Sequence, residues 1–343
     1  MNFIIYITAG FFLTLFGIKI FLKWSKKNRI LDIPNERSLH DNPTPVGGGI
    51  VFVSILLILF LIYLIGTGKE IPWSYFGGAV LITVVSWLDD LYSIPAVVRF
   101  IFHSLAALLV IVGLGIIDNI YLPAFGDFQI GNIIYVLWFL WIVWLINAYN
   151  FMDGIDGIAG IQAVTAGLSW AFLGYLQGIE EVFFFGLLIT STSFGFLLHN
   201  WQPAKIFMGD VGSAFLGYTF AVFPLFLAGK TAGDSGTFLI VSVLFIWFFV
   251  FDTVRTFFVR LVKGEAVWKA HRRHLYQRLV IRGFSHQFVT ILYGTLSVII
   301  SILTIMRLYF GFLNDVFLYF IVGLASTGLL IFTLYDGRAS LKS

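Results

Sequence analysis

The sequence contains no cysteine, and charged residues make up only 11% of its 343 positions. The absence of cysteine excludes disulfide bonds and a thiolate metal site. Soluble proteins carry about a quarter charged residues, so the scarcity of charge excludes an ordinary soluble domain. Hydrophobic side chains account for 59% of the residues, and the mean hydropathy is +0.95. The composition therefore predicts an integral membrane protein.

Hydrophobic runs recur along the chain at lengths that suit membrane-spanning helices. A helix needs about 20 apolar residues to cross the hydrocarbon layer, whereas the strands of a barrel alternate over about ten. The runs predict an all-α, polytopic protein with about eleven transmembrane helices. The first run lacks a basic n-region and a small-residue cleavage site, so we expect it to be retained as a span. The predicted spans are 3–22, 47–66, 73–92, 99–117, 133–150, 158–177, 182–199, 213–229, 237–259, 286–308 and 316–335.

Lysine and arginine are distributed unevenly between the two sides of the predicted spans. The segment 23–45 carries five of them, and the segment 262–283 is also strongly basic. The loops that alternate with these segments hold only Lys69, Lys230 and Arg307. Because cytoplasmic loops are enriched in positive residues, we expect the N-terminus outside and the C-terminus in the cytoplasm.

The chemically dense segments all fall in loops on the predicted cytoplasmic side. The loops on the opposite side are short and contain nothing comparable. We therefore predict a single domain over residues 1–343, with one functional site assembled from several loops. These loops are 23–46, 88–99, 147–160, 199–213 and 260–285.

Five aspartates in these loops indicate a site for a hard cation. An aspartate at the centre of a spanning helix costs about 2.5–3.5 kcal/mol on insertion scales, and less toward the interface. Carboxylates that lie together also repel one another unless a cation intervenes. Oxygen ligands without cysteine favour Mg²⁺, with Mn²⁺ as the alternative, over Zn²⁺. The five are Asp89, Asp90, Asp153, Asp156 and Asp210.

Glycines mark two of these loops as turns. In "NAYNFMDGIDGIAG", residues 147–160, three glycines disfavour a continuous regular helix from 150 to 160. In "GDVGSAF", Gly209 and Gly212 flank the aspartate, and Ser213 is predicted to cap the next helix. A helix N-terminus with free N–H groups suits an anionic oxygen. Phosphate together with a metal ion is the joint interpretation.

Each signal also has a plainer structural interpretation. Asp89 and Asp90 are compatible with two solvated interfacial residues, and the aspartates of 153–156 with a polar turn between helices. The positive-inside bias by itself accounts for lysine and arginine in 260–285, although not for its pair of histidines spaced i, i+3. His103 and His199 fall in or at the end of predicted spans, where we expect packed or hydrogen-bonded residues rather than ligands.

Three other functional classes share parts of the pattern. Intramembrane prenyltransferases need further regularly spaced aspartates, which "DDLYS" lacks. The CDP-alcohol phosphotransferase signature is superficially like "DGIDGIAGIQ", but its Ala-Arg step and later aspartates are missing. A transporter or lipid flippase would place charges at mid-membrane in broken helices, commonly with inverted repeats. Here the charges cluster at one face and no repeat is visible.

Five ordered motifs together resemble one family: "DIPNERSLHDNPTPVGGG", "LDD", "NAYNFMDGIDGIAG", "KIFMGDVGS" and "HRRHLYQRL". Over nearly its whole length the chain is similar to the polyprenyl-phosphate N-acetylhexosamine-1-phosphate transferases, glycosyltransferase family 4. The external N-terminus and the number of spans also match the branch that begins O-antigen and teichoic acid synthesis. The resemblance implies transfer of a sugar 1-phosphate from a UDP-sugar to undecaprenyl phosphate, with release of UMP and with Mg²⁺ as cofactor.

The resemblance also implies roles for individual residues. The implied metal ligands are Asn150 and Asp210. The implied catalytic residues are Asp89 and Asp90, at the lipid phosphate or in acid–base work, and Asp153 and Asp156, near the nucleotide, with Asp156 close to the uracil. The implied substrate-binding residues are Arg99 near the lipid phosphate, Asn147, Lys205, Phe207 stacked on the base, and His271, Arg272 and His274 on the sugar- and diphosphate-binding loop.

Two departures from the family pattern bear on the substrate. The phospho-N-acetylmuramoyl-pentapeptide transferases of peptidoglycan synthesis have a run of histidines in the last loop. Here Arg272 and Arg273 separate His271 from His274, which favours the O-antigen type. Val46 stands where many relatives have a basic residue, so we expect no phosphate contact there.

The family implies a setting and a set of partners. We expect a multi-pass protein of the bacterial inner membrane whose active site faces the cytoplasm. The expected partners are the UDP-sugar, undecaprenyl phosphate and membrane lipids, without nucleic acid, and a homodimer as in many family members. The sequence leaves open whether the sugar is N-acetylglucosamine, N-acetylgalactosamine or a 6-deoxy analogue, because these differ by single hydroxyl groups.

Overall fold

The computed structural model describes residues 3–34, 38–40, 42–122, 126–129, 131–227, 230, 236–265 and 271–335. Helices make up most of the described residues, and two short antiparallel ribbons accompany them, so the fold is nearly all-α as predicted. The ribbons pair β1 (Leu31–Asp32) with β2 (Thr44–Pro45) and β3 (Asn119–Leu122) with β4 (Gly126–Gln129). The helices are α1 (Phe3–Lys27), α2 (Gly49–Thr67), α3 (Trp73–Tyr92), α4 (Ala96–Leu114), α5 (Ile133–Met152), α6 (Ile158–Leu176), α7 (Glu180–Asn200), α8 (Asp210–Leu227), α9 (Gly236–Phe245), α10 (Trp247–Val262), α11 (Leu275–Ile281), α12 (His286–Phe310) and α13 (Asp315–Leu334).

Most of the helices are membrane-spanning by length and composition. Among the described residues, nine helices are long and apolar enough to cross a bilayer, and the pair α9–α10 makes a tenth if it is one span. Helix α3 has 20 residues and is less apolar than those nine. The protein is therefore a multi-pass membrane protein, as the run lengths predicted.

Helix α8 lies at the centre of the bundle. In its most apolar 18-residue window, 89% of the residues are buried, more than in any of the other eight candidate spans. It packs against α3 and α5, and it approaches α2 so closely that a Cβ on Gly49 would overlap the backbone of Gly212. Because α8 begins at Asp210, its central place fixes that aspartate relative to several neighbouring helices.

Small residues hold α6 and α7 in close contact. A Cβ on Gly186 of α7 would collide with the backbone of Ala171, and one on Gly174 of α6 would collide with that of Phe183. Helices in membranes gain packing energy from such small-residue seams, since lipid offers no hydrophobic drive between helices. The seam positions the two turns that carry 153–157 and 201–209.

The predicted span 237–259 is not one straight helix. The chain bends by 84° between α9 and α10, and Ile246 at the break has a non-helical backbone (φ −123°, ψ 26°). Within the predicted loop 260–285, the described residues include the two-turn helix α11. Both features turn this part of the chain toward the ends of α5 and α12.

Charged residues at one end of the bundle form an ion cluster of their own. Lys69, just after α2, lies 3.4 Å from both Glu180 and Glu181 at the start of α7. Lys230, just after α8, lies 3.8 Å from Glu181. Ends of α2, α7 and α8 that lie far apart in sequence therefore meet at this end, as antiparallel packing requires. The segments that carry Asp89, Asp90, Asp153 and Asp210 lie at the other end of the bundle, where α3 and α5 end and α8 begins.

Candidate active site

Three helix ends bring an arginine between two carboxylates. Asp89 lies near the end of α3, Arg99 in the first turn of α4, and Asp210 at the start of α8. Nη1 of Arg99 donates to Oδ2 of Asp89, and it also donates to Oδ2 of Asp210 at 2.8 Å. The Arg99 side chain keeps 34% of its surface exposed, so the cluster is open on one side. We call Asp89, Asp90, Arg99, Asn150 and Asp210 the carboxylate cluster.

The second carboxylate of the pair caps α8. The backbone N–H groups of Asp210 and Val211 donate to Oδ1 and Oδ2 of Asp90, at 2.8 and 3.3 Å. The prediction that Ser213 caps this helix was wrong, because α8 begins three residues earlier and the Ser213 hydroxyl donates to the carbonyl of Gly209. A carboxylate from another helix satisfies the free N–H groups and complements the helix dipole.

Gly209 is required for this arrangement. Its φ of +76° is a conformation that side-chain-bearing residues rarely adopt. A Cβ at this position would also overlap the carboxylate of Asp90. Both constraints act on the residue that directly precedes Asp210.

We expect Gly209→Ala to lower catalytic turnover by about 10²-fold, because moving reacting groups by about 1 Å can slow a reaction that much. The matched control is Gly68→Ala, which has a similar φ of +65° but open space around the added Cβ. The control should lose only a little thermal stability and retain its turnover. Equal turnover in both variants would show that Asp90 tolerates displacement.

Asn150 and Asp153 bring further oxygen atoms to the cluster. The Asn150 amide, in the last turn of α5, interacts with the Asp210 carboxylate. Asp153 follows α5 directly and is partly buried. Burial, followed by the nearby charges of Asp210 and Asp156, raises the pKa of Asp153 to about 7. Negative charge therefore exceeds the positive charge that Arg99 supplies.

Asp156 is tied to the loop between α7 and α8. Its Oδ2 accepts the N–H of Ala204 at 3.0 Å, and its Oδ1 lies 3.3 Å from Nδ1 of His286. The residue is 8% exposed. The next residue, Gly157, has φ +78° and donates its N–H to Oδ1 of Asn200 at 2.9 Å. The helix break predicted within 150–160 is confirmed, since α5 ends at 152 and α6 starts at 158.

Phe207 is fixed by backbone pairing with the first loop. Its N–H donates to the carbonyl of Pro45 at 2.8 Å, and its carbonyl accepts the N–H of Gly48 at 3.0 Å. The ring of His40 meets the Phe207 ring edge-on at a centroid distance of 4.8 Å. His40 was missed in the sequence analysis, although it lies in the quoted first motif. Val46 follows the paired residue Pro45 and brings no charge to this contact.

The basic loop carries His271, Arg272 and His274 before α11. The rings of His271 and His274 lie 5.0 Å apart, and Arg272 donates to the carbonyl of Ser38 in the first loop. Burial, followed by the charges of His274 and Arg260, lowers the pKa of His271 to about 4. His271 is therefore neutral near pH 7. The loop thus reaches the segment that also carries His40.

A buried aspartate behind this loop was not identified from the sequence. Asp252 lies in α10, is fully buried, and lies 3.2 Å from Nδ1 of His274. The signal was present, since an ionisable residue inside a predicted span is by default a candidate functional residue. It was overlooked because the sequence around it, "FVFDTV", matches none of the quoted motifs.

The other predicted residues lie at the edge of these contacts. Asn147 donates its amide to the carbonyl of Val143 in its own helix at 2.7 Å. Lys205 is exposed on the loop before α8. His199 lies 3.0 Å from the carbonyl of Leu15, which confirms the expected packed and hydrogen-bonded residue. His103 is 4% exposed, and its ring nitrogens have no hydrogen-bond partner within the described ranges.

The chain is similar to known proteins along most of its length. The sequence model of glycosyl transferase family 4 matches residues 72–228, from the start of α3 to just beyond α8. A decaprenyl-phosphate N-acetylglucosaminephosphotransferase of Mycobacterium leprae is 30% identical over 293 residues, which cover 76% of this chain and 72% of that protein. A probable undecaprenyl-phosphate N-acetylglucosaminyl 1-phosphate transferase of Bacillus subtilis is 28% identical over 275 residues, covering 79% and 75%.

A more distant similarity reaches the peptidoglycan branch. A phospho-N-acetylmuramoyl-pentapeptide-transferase of Listeria welshimeri is 24% identical over 316 residues, covering 87% of this chain and 95% of that protein. The identity is lower than with the two N-acetylglucosamine relatives, although the aligned stretch is longer.

Proposed function

This chain belongs to the polyprenyl-phosphate N-acetylhexosamine-1-phosphate transferases of glycosyl transferase family 4, and we propose that it transfers a sugar 1-phosphate from a UDP-sugar to undecaprenyl phosphate, releasing UMP. The sugar is an N-acetylhexosamine or a deoxy analogue. The observation that carries the proposal is the carboxylate cluster, in which one arginine lies between Asp89 and Asp210. Several partly buried carboxylates around one guanidinium are suited to binding a metal–diphosphate and an incoming phosphate.

The oxygen atoms of the cluster fit a divalent cation. Asn150 lies beside Asp210, and burial, followed by the negative charges of Asp210 and Asp156, raises the pKa of Asp153. Within the described ranges no three histidine, aspartate or glutamate side chains form a ready-made metal cage. Mg²⁺ typically binds through one or two carboxylates plus substrate phosphates, so Asn150 and Asp210 would hold it, with Mn²⁺ as the alternative. When bound, it supplies charge neutralisation for the transferring phosphoryl group.

Arg99 orients the acceptor. A guanidinium offers five donors in a planar fork, of which the contacts with Asp89 and Asp210 use one nitrogen, and it is 34% exposed. The phosphate of the lipid would bind at the open side of this fork. A phosphate monoester has a second pKa of about 6, so it is largely dianionic near pH 7 and can attack directly. A single in-line displacement then needs no covalent intermediate on the protein.

Asp89 is the candidate base, whereas Asp90 positions the start of α8. Asp89 is paired with Arg99, so it becomes available when the arginine turns to the acceptor phosphate. Both oxygens of Asp90 are occupied by the N–H groups that begin α8. We therefore assign Asp90 to positioning Asp210, and Asp153 and Asp156 to the walls of the nucleotide site.

The donor is proposed to lie between the carboxylate cluster and the basic loop. Phe207 would stack on the uracil and His271, Arg272 and His274 would contact the diphosphate and sugar, while Lys205 and Asn147 lie at the rim. His271 is neutral, which leaves Arg272 as the main charged contact of this loop. Guanidinium groups bind phosphate oxygens bidentately, which suits this assignment.

The membrane arrangement follows from the basic loops. Counting α3 and taking α9–α10 as one span gives eleven spans, with the N-terminus outside and the C-terminus inside. The active site then faces the cytoplasm of a bacterial inner membrane, where UDP-sugars are made. A single domain over residues 1–343 and a homodimer complete the proposal.

The substrate is proposed to belong to the envelope-polysaccharide branch. The Bacillus and Mycobacterium relatives are both named for N-acetylglucosamine 1-phosphate transfer, which supports UDP-N-acetylglucosamine as the first donor to test. O-antigen initiation in lipopolysaccharide synthesis is the proposed role. The muramoyl-pentapeptide alternative is weaker, because Arg272 and Arg273 interrupt the histidines.

The purified protein should release UMP from a UDP-N-acetylhexosamine only when both Mg²⁺ and undecaprenyl phosphate are present. The assay compares UDP-N-acetylglucosamine, UDP-N-acetylgalactosamine, their 6-deoxy analogues and UDP-N-acetylmuramoyl-pentapeptide. EDTA provides the metal-free control. No release with any of these donors would contradict the proposed reaction, and release with the pentapeptide donor alone would replace the substrate.

Asp153→Asn is expected to raise the thermal stability of the metal-free protein at pH 8 by several degrees. The pKa of Asp153 is about 7 in the folded protein, against 3.8 for an exposed aspartate. Ionisation is therefore easier in the unfolded state, and the wild type loses stability as the pH rises from about 4 to 7. The gain over wild type should be small at pH 5, where folded Asp153 is protonated, and larger at pH 8. Melting curves in detergent with EDTA measure it, and a gain that shrinks toward pH 8 would contradict the sign.

A further inference from the structure

Asp252 is a fully buried carboxylate that lies behind the basic loop rather than in the carboxylate cluster. It is 0% exposed and sits within the bent α9–α10 span. Burying an ionised carboxylate in protein is costly unless several donors compensate its charge. Five donors surround it: Nδ1 of His274 (3.2 Å), the N–H of Leu275 (2.8 Å), the N–H of Tyr276 (3.3 Å), the hydroxyl of Tyr293 (2.9 Å) and the hydroxyl of Thr256 (3.2 Å).

Three of these five donors belong to the junction between the basic loop and α11. The N–H groups of Leu275 and Tyr276 are the first two of that helix, which have no partner within it. The Nδ1 contact of His274 directs the opposite ring nitrogen away from Asp252. The carboxylate therefore fixes where α11 starts and how the His274 ring is turned.

Helix α11 is in turn docked on the turn that carries Asp153. The Tyr276 hydroxyl donates to the carbonyl of Phe151 at 3.0 Å. A Cβ on Gly154 would overlap the same hydroxyl. A shift of α11 by a fraction of an ångström is thus transmitted to Phe151 and Gly154, which lie on either side of Asp153 in the chain.

A second set of contacts holds the other side of the loop. Glu265 pairs with Arg273 and lies 3.3 Å from Nε of Arg260. Arg273 therefore pairs with Glu265, whereas Arg272 donates to the carbonyl of Ser38 in the first loop. Glu265 and Asp252 each hold described residues of the loop, and Asp252 also accepts the first N–H groups of α11.

We propose that Asp252 is a positioning residue for the donor: by holding His274 and the start of α11, it sets the distance between the basic loop and the turn at Asp153. The inference rests on the proposed function, in which the basic loop contacts the diphosphate and sugar of the UDP-sugar. Asp252 itself touches no substrate. Its effect is expected on the donor and not on the lipid acceptor, because Arg99 lies in the separate carboxylate cluster.

The test is Asp252→Asn, which keeps the volume and one acceptor oxygen but removes the charge. The KM for the UDP-sugar should rise about 10-fold and kcat/KM for it should fall about 10²-fold, with the KM for undecaprenyl phosphate within about twofold of wild type. The matched control is Thr256→Val, which removes a donor to the same carboxylate from within α10 and leaves the α11 contacts in place. The control should keep both KM values.

A purely structural role would give a different result. Loss of correctly folded protein lowers the maximal rate with both substrates and leaves both KM values unchanged. The double variant Asp252→Asn/His274→Gln should be no worse than the poorer single variant, because one residue acts through the other. Fully additive losses, or a donor KM that stays at the wild-type value, would overturn the proposal.

Hydrogen exchange gives a readout that needs no turnover. Peptides covering 271–281 and 151–157 should exchange faster in Asp252→Asn than in wild type or Thr256→Val, while peptides of α8 should not change. If wild type released no UMP from any donor, the proposed function would fail and exchange would still decide the positioning role. Should Asp252→Asn not fold, Tyr276→Phe tests the same link, and an unchanged donor KM there would overturn it.

Discussion

Asp210→Asn is expected to lower kcat for UMP release by about 10³-fold or more, because charge stabilisation at the reacting phosphate is the largest contribution to such a reaction. The substitution preserves shape, so the loss is that of a negative charge. The backbone N–H of Asp210, which Asp90 accepts, is unaffected, so α8 keeps its start. Steady-state release of UMP over a range of Mg²⁺ concentrations measures the effect.

The control for this substitution lies at the other end of the bundle. Asp315→Asn removes a carboxylate that binds Nε and Nη2 of Arg307 at 2.6 and 2.8 Å, and it should retain turnover. Asn150→Ala should abolish Mg²⁺-dependent turnover in the same way as Asp210→Asn, since its amide interacts with that carboxylate. Turnover of Asp210→Asn above a tenth of wild type, with unchanged Mg²⁺ dependence, would remove Asp210 from the metal site.

Arg99→Gln is expected to lower kcat/KM for undecaprenyl phosphate by about 10²–10³-fold, because the charge-assisted contact proposed for the acceptor phosphate is lost. Without the guanidinium, Asp89 and Asp210 repel each other and the incoming phosphate meets uncompensated negative charge. The KM for the UDP-sugar should change much less. Varying the lipid at saturating UDP-sugar, and then the reverse, separates the two effects.

Arg282→Gln is the matched control, because Arg282 is bonded to the carbonyl of Leu334. It should behave as wild type. The double variant Arg99→Gln/Asp89→Asn should be more thermally stable than Arg99→Gln, since it removes one of the two repelling charges. It should not regain the affinity for the lipid. Equal increases in both KM values would mean that Arg99 supports the fold rather than the acceptor.

Helix positions were predictable because the bilayer imposes a length on apolar runs. The spans 73–92 and 158–177 agree with α3 and α6 to within a residue. The bend at Ile246 was not predictable in this way, since Phe245, Ile246 and Trp247 are as apolar as their neighbours and no proline or glycine marks the break. Only packing against other helices decides such a bend.

The residues of the candidate site could be named from the sequence, but the contacts between them could not. Asp89 and Asp210 were found because charge is rare in this sequence, so each carboxylate near a span stands out, whereas Arg99 was named only through the family resemblance. Asp90 caps α8 although it lies 120 positions earlier in the sequence. Helix-capping rules consider only neighbouring residues, and they predicted Ser213 instead. Asp252 shows the same limit, because four of its five donors lie at the start of α11 or on α12, and only Thr256 lies within its own helix.

The pairing of Phe207 with Pro45 and Gly48 has a consequence for how this protein can change over evolutionary time. Position 207 is held through main-chain atoms, and Gly49 adds a third bond to the carbonyl of Met208 at 2.8 Å. The side chain at 207 can therefore be exchanged while the path of the chain is kept. With Phe207 in the proposed contact with the uracil, preference for the base can thus shift through one substitution without refolding the pocket.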